Sequence, residues 1–253
     1  MNARRYLKVA SVILAGLFAV VALGVLDAPA AVKQKEGIRG KKGPVKSKGV
    51  KEGMKTEPLK EELPKAMFEG TPKNIKPTPT LEKYVDKPRP PFLIPAGCTN
   101  VAKDKPVTSS DSMPIIGELD LVTDGDKEGT DGSYVELGPG LQWIQIDLKK
   151  KCDIYAILFW HYHAEGRVYH DVVIQVADDP DFIEGVKTVY NNDFDNSSGL
   201  GIGKDLEFIE DYRGRLIDAG GVTGRYVRMY SAGNTSNDQN HYIEVEVYGK
   251  PAK

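Results

Sequence analysis

Residues 141–179 carry the clearest alternation of apolar and polar positions in the chain. In LQWIQIDL, Ile144, Ile146 and Leu148 are apolar while Gln145 and Asp147 are polar, the period-two pattern of a strand with one buried face. DIYAILFW is apolar at both parities, with Ile154, Ala156, Leu158 and Trp160 opposing Tyr155, Ile157 and Phe159. That pattern fits a central strand covered on both sides or a short buried helix, and its β-branched and aromatic content favours the strand. HDVVIQVADD alternates again through Val172, Ile174 and Val176 and should stop before Pro180, which has no N–H for a ladder. Between the second and third strands runs a short loop holding His161, Tyr162, His163, Arg167, Tyr169 and His170. A polar, aromatic loop on a rigid sheet is where function is expected.

Shorter strands are predicted near 105–109, 134–136 and 186–190, in GRLIDAGG, and in the pair GRYVRMY and IEVEVYG, which a long polar loop joins. Many short strands, Gly- and Asp-rich turns and almost no helical period predict an all-β sandwich or barrel.

Composition adds organisation. Residues 1–30 have the anatomy of an export signal: Arg4, Arg5 and Lys8, then an apolar run from Val9 to Leu26, then Ala28-Pro29-Ala30. The run suits a cleaved signal peptide or an uncleaved N-terminal anchor, and either predicts export, with membrane contact only through that segment. Residues 31–95 hold 16 Lys/Arg against 8 Asp/Glu and are rich in Lys, Gly and Pro, which predicts a disordered, basic linker. Residues 96–253 hold 15 against 27, and an acidic domain argues against nucleic acid as partner. Outside the cytosol the only two cysteines, Cys98 and Cys152, are candidates for a disulfide, with two separate buried thiols as the alternative.

In order, NVAKDKPVTSS, VTDGD, WIQIDL, DVVIQVADD, GRYVRMY and IEVEVYG resemble the discoidin, or coagulation factor V/VIII C-type, domain family, which includes carbohydrate-binding modules of the galactose-binding-like fold. The resemblance covers residues 96–249 and implies an eight-stranded antiparallel jelly-roll β-sandwich, non-catalytic, binding glycans or other surface ligands through loops at one end. The loops 191–204 and 232–240 are long and depart from the family pattern.

Two site readings follow. Asp124, Asp126, Thr130 and Asp131 crowd oxygens into one loop, as a hard cation such as calcium requires. An EF-hand is rejected, because its twelfth position is Val135 and no helices flank it. The resemblance implies a structural calcium on Asp124, Thr130 and Glu244, helped by carbonyls near Leu121 and Asp126; a solvated turn is the competing reading. For a ligand, a sugar needs aromatic faces with fixed donors and acceptors, and His161, His163, Arg167 and Tyr169 supply them. Asn234, Asn240 and His241 of the polar loop are candidates for a second wall. The histidines are also weighed as a transition-metal site, Asp193 and Asp195 as a second cation site, and Asn196 and Asn234 as glycosylation acceptors in a eukaryotic host.

Nucleophile elbows, zinc-protease and phosphate-loop motifs are absent from the sequence, so a non-enzyme is expected. The leading expectation is an exported carbohydrate-binding module; the alternative is a structural or assembly protein that uses the same loops as a protein interface. A lipid-binding reading, with Phe194, Leu200 and Ile202 as apolar spikes, is weaker.

Overall fold

The computed structural model describes residues 43–252, so the signal segment expected at 1–30 lies outside the described residues. The strands are β1 (Val45–Lys46), β2 (Thr56–Pro58), β3 (Phe92–Pro95), β4 (Thr99–Asn100), β5 (Val107–Ser109), β6 (Val135–Leu137), β7 (Gln142–Trp160), β8 (Val173–Ala177), β9 (Lys187–Asn191), β10 (Arg215–Ser231), β11 (Asn240–Tyr242) and β12 (Glu244–Pro251). Among the described residues the only helical element is a 3₁₀ turn at Leu119–Thr123.

Two long strands organise the sandwich. WIQIDL and DIYAILFW, expected as separate strands, are one continuous β7, and GRLIDAGG and GRYVRMY are likewise one β10. The two pair antiparallel along their length, from Arg215↔Phe159 to Ser231↔Gln142. The first half of β7 takes β5 as its other neighbour and the second half takes β12, in the order β4-β12-β7-β10-β8-β9. Between the halves, Lys149 sits at φ +64°, and β10 carries Gly220 and Gly221 at φ +65° and +76° inside a register shift. Glycine takes that left-handed backbone without the penalty a Cβ would bring. The halves thus form two layers, and Ile144, Ile146 and Met229 of one meet Ile154, Phe159 and Val247 of the other in a shared core. An antiparallel β-sandwich is the architecture the discoidin-like pattern implied.

The alternation in DIYAILFW is broken by a bulge. Ile154 pairs with Gly249 and Ala156 with the adjacent Tyr248, so Tyr155 is the extra residue. Ile154, Ile157 and Phe159 therefore point into the sandwich, while Tyr155, Ala156, Leu158 and Trp160 face outward.

That outward face is covered by the segment expected to be a disordered linker, and for residues 43–95 the expectation is corrected. They form a strap in which β3 pairs parallel with β1 and antiparallel with β2. Leu59, Phe92 and Ile94 are buried against Tyr155, Ala156, Leu158, Trp160, Leu216, Ile243 and Tyr248. Arg213, itself buried against Asp211, donates from Nη1 to the carbonyls of Val85 at 2.8 Å and Lys87 at 2.5 Å. Arg215 pairs with Glu82, and Ser47 Oγ donates to Asp218 at 2.7 Å. Low average hydropathy concealed a few well-placed apolar anchors and the acceptors that meet these arginines.

The disulfide expectation is also corrected. Cys98 and Cys152 are free thiols. Cys152 belongs to the core between the layers, whereas Cys98 packs against the cluster beneath the strap, on the other face of the sheet. Burial raises the pKa of both thiols.

Candidate functional site: an acidic cleft beside a buried histidine network

The loop that follows β7 turns most of its polar aromatics inward. His161 is fully buried; its Nδ1 lies 2.6 Å from Glu210 Oε1 and its ring stacks on Tyr169 at 4.2 Å. The Tyr169 hydroxyl donates to His241 Nδ1 at 2.9 Å, and His241 Nε2–H donates to Glu136 at 3.1 Å. Burial, followed by the positive fields of Arg167 and His161, pushes the His241 pKa down to about 4, so the imidazole is neutral in this chain. Burial raises Glu136, and Arg167 opposes that rise.

The remaining expected ligand residues brace loops. His163 is fully buried and holds the Lys127 carbonyl at 2.8 Å, tying this loop to the acidic one. Arg167 lies over the Tyr162 ring at 4.4 Å and reaches Glu165 at 3.3 Å. Asn240 spends its amide on the carbonyls of Gly138 and Gly140 and its oxygen on Ser231 and Gly233. Asn234 does the same within its own turn, bonding Ser236, Asn237 and Gln239. His161, His163, Tyr169, Asn234, Asn240 and His241 are all buried, so in this structure they frame the rim and do not present themselves to a ligand. A sequence shows residue types in a loop but not which way each side chain turns.

The acidic loop is drawn partly together. Glu244 is fully buried, and its Oε2 accepts the Gly125 amide at 3.0 Å. Its Oε1 has no hydrogen-bond partner, and burial, with Glu246 and Asp124 nearby, pushes its pKa up to about 9. Asp124 accepts the Asp126 amide at 2.7 Å, and Asp126 takes the Ser133 hydroxyl at 2.9 Å. Thr130 Oγ1 lies 3.3 Å from that same hydroxyl, and Lys103 donates to the Asp124 carbonyl.

Two of the clefts among the described residues bear on function. One, of about 480 Å³, lies between strap and sheet beside Leu59, Ile94 and Tyr248. Two of its carboxylates are committed, Glu246 to Lys127 at 2.8 Å and Glu57 to the Gly97 amide. The other, of about 390 Å³, is lined by Thr80 of the strap, His170 and Asp171, Asn192, Phe194, Asp195 and Ser197 of the loop after β9, and Glu207. Asp171, Asp193 and Asp195 bring carboxylate oxygens within 4.8 Å of one another, a group able to hold a metal ion. Burial and the neighbouring Asp193 and Asp195 leave the Asp171 pKa raised. Burial alone would raise Asp193 too, but hydrogen bonds from Ser198 and Ser197 outweigh it and hold that group low. Glu207 is shared by His170 at 3.3 Å and the Thr80 hydroxyl at 2.8 Å; the first contact raises the His170 pKa. Of this cleft, the sequence pointed to His170, Phe194, Asp193 and Asp195; Thr80, Asp171, Asn192 and Glu207 lie in distant segments that only the fold unites.

No family model matches the chain, and no curated protein matches it. Solved structures do. A family 89 glycoside hydrolase from Clostridium perfringens is 19% identical, with a TM-score of 0.45, over 60% of this chain and 15% of that one. This chain therefore spans a small part of that enzyme's length. A fucose-binding module from Streptococcus pneumoniae is 21% identical over 59% of this chain and 97% of its own, with a TM-score of 0.43. The family 32 carbohydrate-binding module of AlyQ, solved with 4,5-unsaturated mannuronic acid, is 21% identical over 57% and 95%, with a TM-score of 0.39.

Proposed function

We propose that this chain is an exported, non-catalytic carbohydrate-binding module that takes a glycan in the cleft between His170 and Glu207. The observation that carries this reading is the cleft's lining: three carboxylates, an amide and two hydroxyls beside Phe194, at a loop edge of the sandwich. Hydroxyl groups need such paired donors and acceptors, and the apolar face of a sugar ring needs an aromatic side chain. Export rests on the residues 1–30 pattern. Affinity electrophoresis against a panel of neutral, acidic and amine-bearing polysaccharides tests the function. Retardation by at least one, lost in Phe194→Ala, supports it; free migration through all of them refutes it.

A structural calcium belongs to the same reading. The unpartnered, buried Oε1 of Glu244 beside the Asp124-Gly125 turn fits a cation better than an empty turn, because a buried carboxylate oxygen without a donor is costly. Asp124 and Glu244 would hold the ion with nearby carbonyls, while Asp126 and Thr130 brace the loop through Ser133; the ion's part would be to fix that loop.

The alternative, an assembly protein, is favoured by one feature. Met113 and Ile115 are 80% and 54% exposed, with Ile116 and Leu141 also open. Exposed apolar side chains mark a contact surface where they form one contiguous patch.

A further inference from the structure

We infer that Lys127 is a clasp through which the strap and the loop after β7 hold each other in place, so that loosening either one loosens the other.

Lys127 belongs to neither segment; it sits in the acidic loop, between Asp126 and Thr130. Its backbone serves one side and its side chain the other. The Lys127 carbonyl accepts from Nε2 of His163, a fully buried residue of the loop 161–170, at 2.8 Å. Its ammonium group donates to the Glu62 carbonyl of the strap at 3.0 Å and pairs with Glu246 of β12 at 2.8 Å. Nζ also lies 5.5 Å from the centre of the Trp160 ring, at the end of β7 from which that loop departs. Beside it the Tyr248 hydroxyl stands 2.9 Å from the second oxygen of Glu246 and 3.2 Å from the Lys60 carbonyl, so two neighbouring strap carbonyls are held there.

Two properties separate this clasp from ordinary packing. The side chains of Lys127 and Glu246 are 10% and 7% exposed, so solvent screens the pair little and breaking it leaves a buried charge without its partner. The strap, for its part, contains no strand from residue 59 to residue 91. A segment held by separate side-chain fastenings, without a ladder, opens locally at low cost. Strap docked and strap released are thus two states of one element, and Lys127 ties the loop to the first of them.

Direct contacts also join the two segments: Asn74 donates to the Gly166 carbonyl at 3.4 Å, and Thr80 meets His170 by way of Glu207. Asn74 is exposed and the His170 side chain is 43% exposed, and water readily replaces such bonds. Lys127 therefore carries the greater part of the coupling. By reciprocity, a solute that binds the loop would also stabilise the strap around Glu62.

Hydrogen exchange of the full chain, followed by mass spectrometry near neutral pH, tests this. Ile94, 2% exposed beneath the strap, pairs with Glu57 of β2. Ile94→Val removes one methylene there and should raise exchange at strap residues 59–63 roughly two- to tenfold. The amides of residues 162–166 should rise with them. Lys127→Met cuts the clasp on the strap side and His163→Phe cuts it on the loop side, each shown by its melting curve to be folded. In either background loop exchange should start higher, and Ile94→Val should then move the strap but not the loop. Lys127→Arg, which keeps the charge and the donors, should restore the joint response. A residue that merely stabilises its surroundings would raise exchange without altering the response to Ile94→Val, so an additive response in either variant overturns the inference. A loop that ignores Ile94→Val in the otherwise native chain overturns it as well, whichever of the two variants folds.

Discussion

Replacing Phe92 by alanine tests whether the strap is part of the fold. Phe92 is 1% exposed and lies in the cluster formed with Tyr155, Leu158, Trp160 and Ile243 on the outer face of the sheet. Deleting a buried Phe side chain removes its transfer free energy and leaves a cavity that neighbours only partly fill, a loss of about 3–5 kcal/mol. Little relaxation is available here, because β3 is held on both sides, by β1 and by β2. A domain of this kind has roughly 5–15 kcal/mol in total, so the variant should fold but be visibly weakened. With a urea dependence of about 2 kcal/mol per molar, the midpoint should fall by about 1.5–2.5 M. Tryptophan fluorescence follows the transition, since Trp160 shares the cluster. Lys76→Ala, at an exposed strap position, should leave the midpoint unchanged. If Phe92→Ala shifts the midpoint no more than Lys76→Ala does, the strap is not packed on the sheet and the argument fails.

Other outcomes follow from the same geometry. His241 titrates near 6.5 when unfolded and near 4 when folded, so its contribution is complete above pH 6.5 and is lost as the pH falls toward 4. Up to about 3 kcal/mol of stability should disappear across that window, and His241→Gln should flatten the curve there; an unchanged slope contradicts a buried neutral imidazole. Glu210→Ala leaves His161 without its carboxylate in a fully buried site and should cost about 3–5 kcal/mol by chemical denaturation, far more than an exposed pair. Calcium at a hundredfold excess over its Kd should stabilise the protein by about 2.7 kcal/mol, and Glu244→Ala should abolish the rise in melting temperature. Unfolding without reductant should expose two thiols per chain to an alkylating reagent, and a mass showing neither modified would restore the disulfide.

The sandwich was legible because strands with one buried face announce themselves. Ile144, Ile146 and Leu148, and Val172, Ile174 and Val176, all face the core that their alternation assigned them. The two-sided apolar character of DIYAILFW was legible as well, and it carried an unread corollary: something had to cover the second face. FLIP, at β3, was the available cover, but it sits at the end of a Lys- and Pro-rich stretch whose average composition reads as linker. The ligand loop was harder. Histidines and tyrosines suit a sugar or an interior network equally well, and the carboxylate partners that turn His161 and His241 inward, Glu210 and Glu136, lie 49 and 105 residues away in sequence. Nothing local announces such a pairing. The open cleft has the same character, since Thr80 and Glu207 meet across 127 residues.

The entry point of the strap sets how the molecule responds to being pulled. Tension reaching residue 43 from upstream arrives first at β1, which is hydrogen-bonded to Pro91 and Leu93 and fastened to Asp218 through Ser47 and Lys48. Because β1 runs parallel to β3, a pull along it shears several bonds at once instead of unzipping them singly. The load is then shared with the start of β10, at Asp218, before it reaches the cleft wall at Thr80. A chain pulled from this end would keep its sandwich closed until that first fastening gave way.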